Sequence, residues 1–133
     1  MDCLFCQLIT NDIDYLVHED KDFIVIPDRD SLGFGHCMII PKTHIAKVYE
    51  LDDATHEKLF RLAKQLATKL VKVTNKKAVA YISFGSSLPH AHLRLVPHDD
   101  IDVLVNPTKH VVRQSPEGLR EMAEELKTKF AQL

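Results

Sequence analysis

The sequence lacks any apolar run long enough to cross a bilayer, so no helical membrane-spanning segment is expected. The opening residues, MDCLFCQLITND, lack the basic start and the apolar stretch of a secretory signal peptide. Glycine is scarce, with four residues, and no low-complexity run or internal repeat is present, so no linker is predicted. The chain of 133 residues is therefore expected to form one domain, residues 1–133, around one core.

A strong excess of one charge is also missing. The 17 basic and 19 acidic residues give a net charge of −2, so neither nucleic acid nor an anionic membrane is expected as a partner. The three cysteines are an odd number, which argues against a disulfide framework. Free cysteines are typical of a reducing compartment, and we expect a cytoplasmic protein.

Hydrophobic patterning predicts an α+β domain, a small antiparallel sheet with helices packed on it. The predicted strands are residues 15–19, 23–27, 37–41, 78–84 and 90–96. Helices are predicted for residues 3–10, for residues 51–75 and for the segment that starts at Ser115 and Pro116. In the long middle helix, Asp52 or Asp53 can act as the N-cap. Its core-facing stripe consists of Leu59, Leu62, Leu66, Leu70 and Val73.

The most informative stretch is SSLPHAHLRLVPH, residues 86–98, which holds three of the eight histidines. Alternation along a strand places His90, His92 and Arg94 on one face and leaves the other face to apolar residues. A solvated strand face is the commoner explanation of such alternation. However, imidazole and guanidinium groups bind phosphate, coordinate metals or transfer protons, and the preceding GSS suits a phosphate cradle. We therefore expect a functional site here.

The stretch HAHLRLVP resembles the signature of the histidine-triad (HIT) family, His-x-His-x-His with apolar residues at x. The resemblance covers essentially the whole chain, because CLFCQLI, DRDSLGFGHCMIIPKTH, YELDD and a closing amphipathic helix follow the family order. It implies an α+β fold with a five-stranded antiparallel sheet, and usually a homodimer whose two sheets join. It also implies that a nucleoside monophosphate group passes to the middle histidine and then to water or another acceptor.

The middle histidine of the signature corresponds to His92, which makes it the candidate nucleophile. Neutral imidazole is competent at phosphorus, and a covalent intermediate divides one difficult displacement into two. Ser87, nearby backbone amides and Arg94 could donate hydrogen bonds to the phosphoryl oxygens. The resemblance further implies that the backbone carbonyl of His90 holds the other ring nitrogen of the nucleophile.

The resemblance also implies a set of residues that bind a purine nucleotide or dinucleotide. Asp28 matches the acid that holds the ribose hydroxyls, although composition alone would make it a turn residue. His36 matches a histidine near the triad, and Ser83 is a near match for a polar residue ahead of it. The positions that hold the base correspond to Leu4, Phe5, Leu8 and Ile26, whose burial alone would also explain them.

Cys3 and Cys6 form a CxxC motif, which by itself is equally well explained as two small apolar residues on a short helix. In zinc-containing HIT proteins this motif pairs with the histidine of a PKxH element and with the first triad histidine. Those positions correspond to His44 and His90. Two thiolates and two imidazoles would form a closed, tetrahedral and structural zinc site. Cys37 is expected to be plain core.

Arg94 departs from the family, because it stands where the third histidine belongs. It offers a fork of donors to phosphate but cannot give up a proton to a leaving group. The run SLPHAH resembles the transferase branch, which has glutamine at this position, so Arg94 matches neither pattern.

We therefore predict hydrolysis or transfer of a nucleoside monophosphate group taken from dinucleoside polyphosphates or nucleoside phosphoramidates. One alternative is a nucleotide-binding module of the same fold in which Arg94 has replaced turnover. A metallohydrolase with a catalytic metal is disfavoured, since two cysteines and two histidines would fill all four positions of zinc.

Overall fold

A five-stranded antiparallel sheet organises the chain, as seen in a computed structural model that describes residues 3–133. The strands are β1 (His18–Glu19), β2 (Phe23–Pro27), β3 (Asp30–Ser31), β4 (Cys37–Pro41), β5 (Ala78–Ile82), β6 (Leu93–His98) and β7 (Val112–Arg113). The helices are α1 (Leu4–Thr10), α2 (Asp53–Thr74), α3 (Asp102–Val105) and α4 (Pro116–Ala131), with 3₁₀ turns at Val48–Glu50 and Pro107–Lys109. The main sheet has the order β1-β2-β4-β6-β5, which confirms the expected α+β fold.

The two long helices begin at the predicted caps. The Asp52 side chain accepts a hydrogen bond from the Thr55 amide at 2.7 Å, which satisfies one free N–H group at the start of α2. The Ser115 side chain does the same for Gly118 at the start of α4. Four of the five predicted stripe residues of α2 are buried, and the fifth packs against them at the edge of the core.

The strands β2 and β4 are buried on both faces, because helices or loops cover each side of the sheet. One face, which carries Val25 and Ile39, packs against α2 and α4. The opposite face, which carries Ile26 and Met38, packs against Phe5 of α1. The candidate site lies on this second face. Among the described residues, no helix is long and apolar enough to span a membrane.

Four predicted strand boundaries were wrong. The first strand is limited to β1, and the fourth ends at Ile82. The fifth begins at Leu93 rather than His90 and ends at His98 rather than Val96. The Ala91 amide donates to the Ile45 carbonyl at 2.6 Å, so the chain here bonds to the loop before α2 and not to a neighbouring strand. The predicted alternation still holds, since Ala91, Leu93 and Leu95 all lie in the helix-covered core.

A small two-stranded ribbon was not predicted. Strand β3 pairs with β7, so that Asp30 lies opposite Arg113, and the Gln114 amide donates to the Arg29 carbonyl at 2.7 Å. The ribbon brings the chain that follows β6 back to the end of β2. It therefore sets where α4 starts and which part of the sheet this helix covers.

Candidate functional site

His92 lies just before β6, with 7% of its surface exposed. Its Nδ1 lies 3.0 Å from the His90 carbonyl, so Nδ1 carries the proton of the neutral ring and Nε2 keeps its lone pair. The edge of the Phe5 ring packs on the imidazole, with 5.1 Å between ring centroids. Burial is the largest effect and lowers the pKa of His92, while the hydrogen bond to the His90 carbonyl opposes it. The Arg94 charge lowers the pKa further, and Asp28 raises it least, so that the pKa is lowered overall. The ring is thus held neutral, in the tautomer that a nucleophile requires.

A cleft of about 180 Å³ opens beside His92 on the α1 face of the sheet. Arg94, Asp28 and the four apolar residues predicted to hold the base, Leu4, Phe5, Leu8 and Ile26, line it together with His92. The cleft residues that sequence reasoning did not assign to it are Tyr15, Pro27, Arg29, Asp30, Met38, Leu88 and Leu119. Leu119 is a buried residue of α4. No local pattern signals that this helix reaches the cleft.

Three of the predicted site residues lie outside the lining of the cleft. Ser83 and Ser87 are exposed on the loop that follows β5, where Gly85 takes a positive φ of 72°. His36 is 1% exposed and lies behind Asp28. The phosphate-binding role of Ser87 and the substrate-binding role of Ser83 stay predictions. His36 faces Asp28 rather than the cleft.

Asp28 lies at the centre of a buried polar group. Its Oδ1 accepts the Asp30 amide at 2.9 Å, while Oδ2 lies 3.2 Å from His36 Nε2 and 3.5 Å from Arg94 Nε. Asp28 Oδ2, His36 Nε2 and Arg94 Nε are buried and have no hydrogen bond of good geometry. The contact among them is therefore an electrostatic pairing. Burial by itself raises the pKa of Asp28, but His36, the Asp30 amide and Arg94 outweigh it, and the pKa is lowered overall. The carboxylate is therefore ionised.

Arg94 projects from a central strand, where it lies between Met38 of β4 and Ile82 of β5. Its side chain is 32% exposed. The guanidinium carbon lies 5.7 Å from the centroid of the exposed Phe84 ring, which is a cation–π distance. One edge of the Arg94 guanidinium thus faces the Asp28 carboxylate. The same side chain also borders the cleft.

The four predicted metal ligands come together at the start of α1. The possible ligand atoms of Cys3, Cys6, His44 and His90 all lie within 4.8 Å of one another. The closest approaches are 3.2 Å from Cys6 Sγ to His44 Nδ1, 3.2 Å between the two Nδ1 atoms, and 3.3 Å from Cys3 Sγ to His90 Nδ1. Around a tetrahedral zinc ion, such ligand atoms are separated by about 3.3–3.8 Å. The cluster therefore has the size that this ion requires.

The protonation of the cluster also suits a cation. His90 Nε2 lies 2.8 Å from the Pro41 carbonyl and donates to it, which leaves Nδ1 unprotonated toward the cluster. Burial and the neighbouring Cys3 raise the pKa of the Cys6 thiol, and a bound cation would favour its thiolate form. If these four residues held a zinc ion, they would fill its tetrahedral shell and leave no position for a reacting water, which weakens the metallohydrolase alternative.

Several known proteins resemble this chain in sequence. A family profile described as HIT domain matches residues 11–101. In Schizosaccharomyces pombe, a relative named adenosine 5′-monophosphoramidase hnt1 is 25% identical over 137 residues, which cover 98% of this chain and 99% of the relative. In Arabidopsis thaliana, a relative named adenylylsulfatase HINT3 is 26% identical over 109 residues, covering 77% of this chain and 55% of the relative.

A solved structure shares the fold. The crystal structure of a zinc-bound histidine triad family protein from Mycobacterium smegmatis matches with a TM-score of 0.78 and 22% sequence identity. The match covers 99% of this chain and 95% of that one. The arrangement of strands and helices is therefore one already observed by experiment.

Proposed function

The chain belongs to the HIT family, and we propose that it is an enzyme that hydrolyses or transfers a nucleoside monophosphate group through a covalent intermediate on His92. Relatives named as a monophosphoramidase and an adenylylsulfatase support nucleotide hydrolase chemistry in general. The observation that carries the finer proposal is the state of His92. Its neutral ring is anchored through Nδ1 at 3.0 Å from a backbone carbonyl and borders an apolar cleft.

The reaction has two displacements at phosphorus. The lone pair of His92 Nε2 forms a bond to phosphorus while the bond to the leaving group breaks, and the electron pair departs with that group. Water or another acceptor then attacks phosphorus, the P–N electron pair returns to Nε2, and the attacking oxygen loses its proton to solvent. Arg94 stabilises the charge on the phosphoryl oxygens in both steps.

The lining of the cleft supports a purine nucleotide or dinucleotide as substrate. The apolar side chains, among them Phe5 and Ile26, offer contact area to a flat base, and Arg94 offers donors to a phosphate. Because Arg94 cannot protonate a leaving group, groups that depart as anions should be favoured. Nucleotides released from dinucleoside polyphosphates are such groups, whereas the amines of phosphoramidates are not.

A structural zinc ion in the Cys3, Cys6, His44 and His90 cluster is part of the proposal. The ligand spacing supports it, and so does the zinc-bound relative of the same fold. The ion would cross-link the start of α1 to the sheet and supply no step of the reaction. Since α1 carries Phe5 and Leu4 into the cleft, the ion would also stabilise the wall that contacts the base.

We further propose a homodimer that joins two sheets at β5. This strand lies at the edge of the sheet, and Tyr81 is 42% exposed beside the aromatic ring of Phe60. An open edge with exposed aromatic side chains suits pairing with a second copy. Light scattering of the purified protein should give a dimer mass, and Tyr81→Lys should shift it toward the monomer. A cytoplasmic location, supported by three cysteines free of disulfide bonds, completes the proposal.

The catalytic proposal is tested with His92→Asn on a panel of adenosine phosphoramidates and dinucleoside polyphosphates. We expect turnover to fall by at least about 10³-fold, since no other group replaces the nucleophile, while nucleotide binding is retained. Brief incubation of the wild-type protein should leave a nucleoside monophosphate adduct on His92, detectable by mass spectrometry.

A matched control is His98→Asn. The ring of His98 makes the same contact with a backbone carbonyl two residues earlier, at 3.0 Å, but lies outside the lining of the cleft. Its replacement should leave turnover unchanged. Wild-type turnover in His92→Asn would disprove the proposed nucleophile. Tight nucleotide binding without turnover by the wild-type protein would instead support the binding-module alternative.

A further inference from the structure

Phe84 is an exposed aromatic residue that adjoins Arg94, the residue proposed to bind phosphate. It stands two residues after the end of β5 and is 68% exposed. The guanidinium carbon of Arg94 lies over its ring, 5.7 Å from the centroid. A single exposed apolar side chain is common on protein surfaces, but this one contacts a residue that borders the cleft. The ring is therefore accessible to a molecule that already contacts Arg94.

Lys47 packs against the same loop. A Cβ atom added at Gly85 would lie 3.4 Å from Lys47 Cγ, so the stem of the lysine covers this glycine. The ammonium lies 5.8 Å from the centroid of the Tyr49 ring, and Tyr49 is 75% exposed. Lys47 forms no ion pair with a carboxylate of residues 3–133. Its charge is thus available to an anion.

The order of the strands places Phe84 on the far side of Arg94 from the apolar part of the cleft. Ile26 of β2 and Met38 of β4 line the cleft, whereas Arg94 of β6 lies between β4 and β5. Phe84 continues the chain beyond β5, which is the edge strand. Neighbouring strands lie about 4.8 Å apart, so β2 and β5 are separated by about 15 Å. A nucleoside beside β2 therefore does not reach Phe84, but a group attached beyond its phosphate can.

We propose that Phe84 and Lys47 form a subsite for the leaving nucleotide of a dinucleoside polyphosphate. Phe84 stacks on the base of that nucleotide, and Lys47 contacts its phosphate chain. This inference rests on the proposed function and deepens it, because the subsite selects leaving groups that carry both a base and phosphates. Exposed aromatic rings next to cations are the combination that binds nucleotides through stacking and charge, with little preference among bases.

The test compares diadenosine tetraphosphate with adenosine 5′-tetraphosphate, which has the same phosphate chain but no second nucleoside. Attack at the phosphorus next to the first adenosine releases a polyphosphate anion from either compound. For Phe84→Ala we expect kcat/KM for the diadenosine compound to fall by about 5- to 100-fold, because base stacking is lost. The value for adenosine tetraphosphate should change by less than about twofold. Phe84→Trp, which keeps a stacking surface, should restore the selectivity.

Lys47→Met separates the phosphate contact from the stacking contact. It should lower kcat/KM for both compounds by the same factor, about 3- to 10-fold, since both carry the phosphate chain. This loss should shrink as the salt concentration rises. Ile101→Ala serves as the control, because Ile101 is 65% exposed but lies outside the lining of the cleft. It should leave both values unchanged.

Calorimetric titration of His92→Asn with the same two compounds gives a reading that does not depend on turnover. We expect tighter binding of the diadenosine compound, and loss of that difference when Phe84→Ala is added. If the wild-type protein binds both compounds without turnover, this titration decides the subsite by the same criterion.

The remaining outcomes separate the subsite from the function. Equal loss of both substrates in Phe84→Ala, or no loss of either, would overturn the subsite and leave the proposed function intact. Equal loss together with a shift from dimer to monomer mass would instead assign Phe84 to a contact between subunits. Failure of the protein to bind or turn over either compound would overturn the proposed function together with this inference.

Discussion

Two partly buried polar clusters include the residues two positions before and after His92, and their charges are balanced in opposite ways. In the cluster of Cys3, Cys6, His44 and His90, the sulfur and nitrogen atoms converge and none of them brings a positive charge. In the group of Asp28, His36 and Arg94, a carboxylate lies between an imidazole and a guanidinium. The first cluster needs a cation from outside, whereas the second balances its charge from within. Similar histidine-containing clusters can thus serve metal binding or substrate binding, depending on which charges the sequence supplies.

The largest effect is expected when one side chain of the Cys3, Cys6, His44 and His90 cluster is removed. Cys3→Ser keeps a side chain that can cap α1 but removes a soft ligand that lies 3.3 Å from His90. Elemental analysis should show about one zinc per wild-type chain and much less in the variant. The free energy of unfolding should fall on the order of 3 kcal/mol, measured in denaturant.

The control for this prediction is Cys37→Ala. Cys37 is a buried core residue, as expected from the sequence, and burial raises the pKa of its thiol to about 12. Its loss should leave the zinc content unchanged. A metal-free wild-type protein with undiminished stability would contradict the proposed zinc site.

An intermediate effect is expected when Arg94 of the second group is replaced by the histidine of the family signature. Arg94→His supplies a group that can protonate a leaving amine. General acid catalysis of this kind typically raises the rate by about 10²- to 10⁴-fold. We expect kcat/KM for a phosphoramidate to rise relative to that for a dinucleoside polyphosphate. Arg94→Ala should lower both, because the phosphate contact is lost. Identical effects of Arg94→His on the two substrates would contradict the idea that proton delivery is what the arginine gave up.

The smallest effect is expected in the pH profile. The pKa of His92 is lowered from its ordinary value of 6.5, so the ring is protonated only as pH falls through that lower value, and kcat/KM should decline there. An arginine cannot act as a general acid in the working pH range, so no alkaline limb is expected. Between pH 7 and 9 we expect kcat/KM to vary by less than about twofold. Arg94→His should turn this plateau into a bell, and a bell in the wild-type protein would count against the assigned roles.

The helices and central strands could be predicted from the sequence because their signals are local. Asp52 and Ser115 cap their helices through side-chain contacts that span three residues. The start of β6 could not be predicted, since it depends on an amide that bonds to Ile45, far away in the chain. The alternation of polar and apolar residues alone predicted that His90 belongs to the strand.

The candidate site likewise contains residues that could be predicted from the sequence and residues that could not. The four candidate metal ligands and His92 could be proposed from the sequence because they stand in short motifs that resemble those of a known family. The pairing of Asp28 with Arg94 could not be predicted, because it joins residues of β6 and the end of β2 that no motif connects. Leu119 was missed for a related reason, since the ribbon that directs α4 toward the cleft is only two residues long on each side.

The ribbon and α4 also determine when the site can first exist. Ribosomes release a chain from its amino end, and the triad segment at residues 90–94 emerges well before Leu119. One wall of the cleft therefore arrives only after the rest of the site, once β7 has paired with β3 and α4 has docked. On the nascent chain, the cleft beside His92 therefore stays unfinished until α4 has been synthesised.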